Sequence, residues 1–249
     1  MKIHAFGDSF VVGDQDDFLD DKNTMLDPTH GMNFGERIKF LKYNVSFVAL
    51  IAKELNVELI NHAERGSGNF PQLDKLWLAC NNNQINTSDM VLFGMTTTTR
   101  DRIGCSSIEK TTSKNYGEFL VDRQLINSHD HGTIGIIDQF YILSVLEKIS
   151  KLFKVRIIKF NLFDNPSDYT DMNNINFADF IGADVKGNTL IDIINDTWGD
   201  GIKNPYHDQL IIKQGYEQYY TSKKHPSVLG HQKIANWFIK NVNFKNENV

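Results

Sequence analysis

Residues 90–94 read MVLFG, and the string GMTTTTR runs on from Gly94 to Arg100. An apolar run of this length without polar alternation is the pattern of a strand covered on both faces, as in a parallel sheet. Working outward, strand-like and helix-like segments alternate. KIHAF (2–6) reads as a strand ending at Gly7. SFVALIAKEL (46–55) puts Phe47, Leu50, Ile51 and Leu55 on one helical face, with Ser46 or Asn44 as its cap. VELIN (57–61) predicts a second strand, and Leu73, Leu76, Trp77 and Cys80 recur at helical spacing over 70–80. Ile136, Phe140, Leu143, Leu146 and Ile149 predict a helix over 136–153, and VRIIKFNLF (155–163) a fourth strand. The last helix is expected over 227–242, capped by Ser227, with Ile234, Ala235, Phe238 and Val242 facing inward. This order predicts an α/β fold with three layers, α/β/α, around a mostly parallel sheet.

Two stretches break the alternation. Residues 98–132 and 164–224 are polar, rich in Gly and Asn and weakly periodic. Both are longer than ordinary connections, so each is expected to be a functional loop or an insertion within a single domain spanning 1–249. They follow the third and fourth strands and therefore leave from the carboxyl edge of the sheet, where ligands bind in such folds.

Composition narrows the function. The chain has 249 residues and a formal net charge of −5, which leaves no electrostatic footprint for nucleic acid or an anionic membrane. No apolar run approaches the roughly 20 residues needed to span a bilayer. MKIHAFGDSF lacks a signal-peptide core, which leads to the expectation of a cytoplasmic protein with no membrane partner. Cys80 and Cys105 are read as free thiols.

Four strings lie just past the ends of these elements, and each has a plain structural reading beside a functional one. GDSF (7–10) is common turn chemistry, yet a Ser at a strand-to-helix turn exposes its hydroxyl and offers its N–H to an oxyanion. NHAERGSGN (61–69) is a Gly-rich loop ahead of a helix, in which Gly66 or Gly68 lets a backbone N–H approach a reacting carbonyl. GMTTTTR is either a solvated loop or a source of hydroxyl donors with one charge. In HPSVLGH (225–231), His225 is either part of a helix-capping turn or a catalytic base whose direction is set by Pro226, which holds the preceding residue extended. His231 is expected to pack or cap.

The order and positions of these strings resemble the GDSL or SGNH hydrolase family over essentially the whole chain, with GDSF and HPSVLGH the more specific pair. The resemblance implies the SGNH hydrolase fold with a flavodoxin-like sheet. It also implies Ser9 as nucleophile and His225 as general base. The N–H groups of Ser9 and Gly66 become oxyanion donors, and Asp8 a support for the nucleophile turn. No metal or organic cofactor is implied. Two departures follow. Gly94-Met95-Thr96 carries Thr where the family has Asn, so Thr96, with Thr97 and Arg100 beside it, stands as an oxyanion or substrate-binding candidate. A lost oxyanion donor costs roughly 3–4 kcal/mol in a well-studied hydrolase. Ser222, not Asp, stands three residues before His225. Replacing the triad acid by Asn in one protease costs about 10⁴ in kcat. The Ser222 carbonyl could hold the ring in a Ser–His dyad; Asp200, Asp208 or Glu217 could supply an atypical triad; or the site is degenerate.

The implied activity is that of a serine esterase, a carboxylic ester hydrolase cleaving an O-acyl group, acetyl above all, from a carbohydrate or similar small ester. The alternative is a catalytically degenerate binding or structural module. The Thr-rich string is similar in style to phage-encoded members, which would make that module virion-associated. Other clusters fall short. His129, Asp130 and His131 could ligate a metal, but no further cluster completes a site. The acidic run Asp14, Asp16, Asp17, Asp20 and Asp21 lacks the Gly and closing Glu of a calcium loop.

Overall fold

The structure, a computed structural model, describes residues 1–14, 31–96, 128–162, 180–181, 189–196, 214–221 and 224–244, and of 128–140 and 180–181 the backbone alone. Five parallel strands form one sheet: β1 (Lys2–Phe6), β2 (Glu58–Asn61), β3 (Met90–Met95), β4 (Arg156–Asn161) and β5 (Phe180–Ile181). Their order is β2-β1-β3-β4-β5, the flavodoxin-like arrangement. Ile3 pairs with Leu59 on one side and Met90 on the other, and Met95 pairs with Asn161. The central strand β3 is buried at every position, which accounts for its continuous apolar sequence.

Alternation along the strands divides the interior into two cores. Ile3, Ala5, Met90, Leu92, Ile158 and Phe160 face one layer of helices. That layer is α1 (Ser9–Val12), α3 (Phe47–Glu54), α6 (Leu190–Asn195) and α7 (Val228–Asn241). Phe6, Val91, Phe93, Met95 and Ile157 face the other layer. It is made by α4 (Asn69–Asn81) and α5 (Ser128–Phe153). The three layers follow from period-2 strands meeting period-3.6 helices on both faces.

Ser46 caps α3 by accepting from Ala49 N–H, and Ser227 caps α7 by accepting from Gly230 N–H. Four features differ from the sequence expectation. Helix α5 begins at Ser128, ahead of the periodic stretch that starts at 136. Residues 34–45 form α2 (Phe34–Phe40) and a π-helical turn (Leu41–Val45), in which only Leu41 and Val45 are buried, so no apolar stripe marks them. The long insertion contains β5, α6 and a 3₁₀ turn (Glu217–Tyr219). And α1 is a helix of four residues, too short for any periodic signal. Among the described residues no helix is long and apolar enough to cross a membrane. Cys80 is buried and not disulfide-bonded, and burial pushes its thiol up to about 11; Cys105 lies outside the described residues.

Candidate active site

Strands β1 and β3 are adjacent although two other elements separate them in sequence. Their carboxyl ends therefore flank the point where the strand order reverses, the usual ligand crevice of an open parallel sheet. Ser9 follows β1 there and Thr96 follows β3. Asp8 caps α1: its Oδ1 accepts from Phe10 N–H at 2.9 Å, and its backbone carbonyl accepts from Val11 and Val12 N–H. The N–H of Ser9 makes no hydrogen bond among the described residues, and neither does that of Gly66.

His225 arrives from the far end of the chain. Its Nε2 lies 2.9 Å from Ser9 Oγ, across 216 residues of sequence. A hairpin sets that position. Thr221 N–H donates to the His225 carbonyl at 2.8 Å, Lys224 N–H to the Thr221 carbonyl at 2.9 Å, and His225 N–H to Thr221 Oγ1 at 3.1 Å. Lys224 takes a φ of 63°, the left-handed conformation that closes such a tight loop. Tyr220 and Pro226 then form an antiparallel bridge, and Ser227 N–H donates to the Tyr219 carbonyl at 2.8 Å. The His225 ring rests against Phe10 at 5.2 Å between centroids, so both partners of the Ser–His pair are braced by one phenyl group. Further back, Lys233 of α7 lies over the rings of Tyr216 and Tyr219 at 4.7 and 4.8 Å and pairs with Asp196 at 2.7 Å. This ties the base of the hairpin to α6 and α7.

The other candidates divide. Thr96 is buried, and its hydroxyl donates to Asp8 Oδ2 at 2.8 Å, while its N–H donates to Asn69 Oδ1 at 2.8 Å. A hydroxyl carries a single proton, so the Thr96 side chain is committed to Asp8 and does not serve as the third oxyanion donor. Gly66 takes a φ of 67° in a turn closed by Ser67 N–H to the Glu64 carbonyl at 3.3 Å; that turn is what requires glycine, since a Cβ there would meet nothing within 4 Å. Glu217 is exposed in the 3₁₀ turn and makes no bond to His225. Thr97, Arg100, Asp200, Asp208 and Ser222 lie outside the described residues, as does the acidic run beyond Asp14. Asp14 itself is buried and accepts from Arg65 Nε, joining the end of α1 to the Gly66 turn. His129 and His131 belong to α5, but their side chains are not described. Among the described residues no group of three His, Cys, Asp or Glu is placed to hold a metal.

His231 packs and caps at once. It is fully buried, stacks on Phe47 at 6.1 Å, and its Nδ1 accepts from Phe47 N–H, the first of α3, at 3.3 Å. Burial, with the nearby His225 adding to it, lowers its pKa to about 3.

Three buried amides are not marked by the sequence reading. Asn69 holds the Thr96 backbone from both sides, its Nδ2 donating to the Thr96 carbonyl at 3.3 Å. Gln72 accepts from Gly7 N–H at 3.1 Å and donates to Ser67 Oγ at 2.8 Å. Asn61 donates to the Val11 carbonyl at 3.1 Å and accepts from Ala63 N–H at 3.0 Å. All three occupy loop ends or a first helical turn, where Asn and Gln are ordinary. The one available signal is that all three lie within the 61–72 stretch around the Gly-rich string.

No protein-family model matches the sequence, and the comparison with curated proteins finds no match. Solved structures do align. One is a lipolytic protein of the G-D-S-L family from Veillonella parvula, at 12% identity and a TM-score of 0.45, covering 98% of this chain and 100% of that one. A second is an acetylxylan esterase from Geobacillus stearothermophilus, in a catalytic mutant, at 15% identity and a TM-score of 0.43, covering 98% and 94%. A lipase from a goat rumen metagenome aligns at 14% identity and a TM-score of 0.45, covering 96% of each chain. Likeness at this level assigns neither a family nor an activity to this chain.

Proposed function

We propose that the protein is a serine esterase of the SGNH type that hydrolyses an O-acyl ester, acetyl above all, of a carbohydrate or similar small substrate. The observation that carries this reading is the 2.9 Å approach of His225 Nε2 to Ser9 Oγ at the carboxyl edge of the sheet. Nucleophile and base within hydrogen-bond reach, each fixed by its own loop, form the arrangement nucleophilic acyl transfer needs. Ser9 Oγ attacks the acyl carbon as His225 Nε2 takes its proton. The oxyanion is held by the uncommitted N–H groups of Ser9 and Gly66. The carbonyl re-forms, the C–O bond to the alcohol breaks, and His225 returns the proton to the leaving oxygen. A water, activated by the same ring, then releases the acid and restores Ser9. The acyl group and the alcohol rest on the sequence resemblance, as does the absence of a cofactor requirement.

The test is labelling by a fluorophosphonate serine-hydrolase probe. Wild-type protein is expected to label; Ser9→Ala removes labelling, and His225→Ala slows it by about 10²–10⁴-fold, the usual contribution of a general base. Folded wild-type protein that fails to label would turn the reading to the degenerate binding module, whose supporting feature is the commitment of Thr96 to Asp8 in place of an oxyanion contact.

A further inference from the structure

We propose that Thr96 is a positioning residue for the nucleophile, acting through the carboxylate of Asp8. The proposal rests on the esterase reading of Ser9. Helix α1 has only four residues, so it cannot hold its own geometry: helix nucleation is unfavourable, and a segment this short gains no propagation to offset it. What fixes Ser9 must come from outside the helix. Asp8 is fully buried and divides its two oxygens between two tasks. Oδ1 caps α1 through Phe10 N–H, and Oδ2 takes the Thr96 hydroxyl from the end of β3. The cap of the nucleophile helix is thus tied across the sheet to the neighbouring strand.

The anchor on the β3 side is itself held. Asn69, buried at the first position of α4, grips Thr96 by both its N–H and its carbonyl, which fixes the Cα and leaves the hydroxyl one rotamer choice to make. One turn further along α4, Gln72 holds Gly7 N–H, the residue just before Asp8. The start of α4 therefore holds both strand ends between which Ser9 sits. Thr suits this task and Asn does not: a short side chain with one donor reaches the carboxylate at 2.8 Å and stops there. The substitution of Thr for the family's Asn exchanges a contact to the oxyanion for a tether on the nucleophile. It leaves the oxyanion to the backbone N–H groups.

The experiment measures fluorophosphonate inactivation as kinact and KI, with melting temperature alongside, for wild type, Thr96→Val and Thr96→Ser. Thr96→Val keeps the side-chain shape and removes the donor. Losing a hydrogen bond to a buried charge is expected to lower kinact by about ten- to a hundredfold while KI stays within about twofold. Thr96→Ser, which keeps the hydroxyl, is expected to recover most of kinact. A purely structural role would lower melting temperature and worsen both constants, and Ser would not restore kinact selectively. If Thr96→Val does not fold, Thr96→Ala is compared with Thr96→Ser in the same way. A wild type that labels, with Thr96→Val or Thr96→Ala at wild-type kinact or a loss that Ser does not restore, overturns this proposal alone. A wild type that does not label overturns the esterase reading and this proposal with it.

Discussion

Val11 sits in a notch cut by two glycines. A Cβ on Gly7 would lie 2.4 Å from Val11 Cγ2, and Gly7 has a φ of 151°, outside the range side chains favour. A Cβ on Gly94 would lie 2.9 Å from the same methyl and 2.7 Å from Phe160 Cε2. These glycines let the helix that carries Ser9 pack directly on β1 and β3. Gly94 therefore has a packing reason to be glycine whether or not the oxyanion is near. Gly94→Ala is expected to cost about 1–3 kcal/mol, the usual range for overpacking a well-filled core, and to slow labelling of Ser9, because Val11 can yield only by moving α1. Urea denaturation with the labelling rate measured in parallel checks both. An unchanged midpoint would mean that Phe160 rotates away freely and that the notch has slack.

At the scale of elements, the hairpin and α7 act as one unit. Gly230 faces the Tyr219 carbonyl so closely that a Cβ would lie 2.3 Å from its oxygen and 3.1 Å from Pro226 Cβ. That carbonyl is already the acceptor for Ser227 N–H, so it cannot withdraw without loosening the turn that follows His225. Gly230→Ala is expected to shift the hairpin off Ser9: labelling falls by at least about tenfold for a stability loss of about 1–3 kcal/mol. If the labelling rate is retained while stability drops, the hairpin is positioned by Lys233 and the Tyr220–Pro226 bridge instead. The same unit shows what a sequence can disclose. HPSVLGH announces a Pro-fixed histidine and a capped helix because both rest on local chemistry, and the strands of the sheet announce themselves through apolar runs. The closure of Gly230 on Tyr219 is a contact between chain segments with no pattern of its own. Helix α6 is hidden for a related reason: all its residues are buried, polar Asp192 and Asn195 included, so it has no polar face to give a period. The pairing of Thr96 with Asp8 joins residues 88 apart, and only the fold reveals that the Thr hydroxyl is spent there.

Over the whole molecule, three histidines are held uncharged by burial, and they lie in different parts of the fold. His231 is placed in the core between α3 and α7, with its pKa lowered to about 3. His4 and His62 meet across β1 and β2, Nδ1 to Nε2 at 3.2 Å, with His62 stacked on Phe6 at 4.5 Å. Burial, followed by the influence of His4, Lys42 and Lys75, lowers His62 to about 4. Burial also lowers His4, outweighing the pull of Asp89. Each of these groups binds a proton in the unfolded chain near pH 6.5 but resists it in the folded one. Between that pH and the folded values the unfolded state holds more protons, so stability falls as pH falls. The slope approaches about 1.4 kcal/mol per pH unit for each histidine. The urea midpoint is therefore expected to be flat above pH 7.5 and to decline steadily from pH 6.5 to 4.5. His231→Asn keeps an acceptor for Phe47 N–H but has no proton to gain, and is expected to make that decline shallower. A midpoint unchanged between pH 7 and 5 would show that the folded protein takes up these protons without penalty, and that the cores around His4, His62 and His231 admit water.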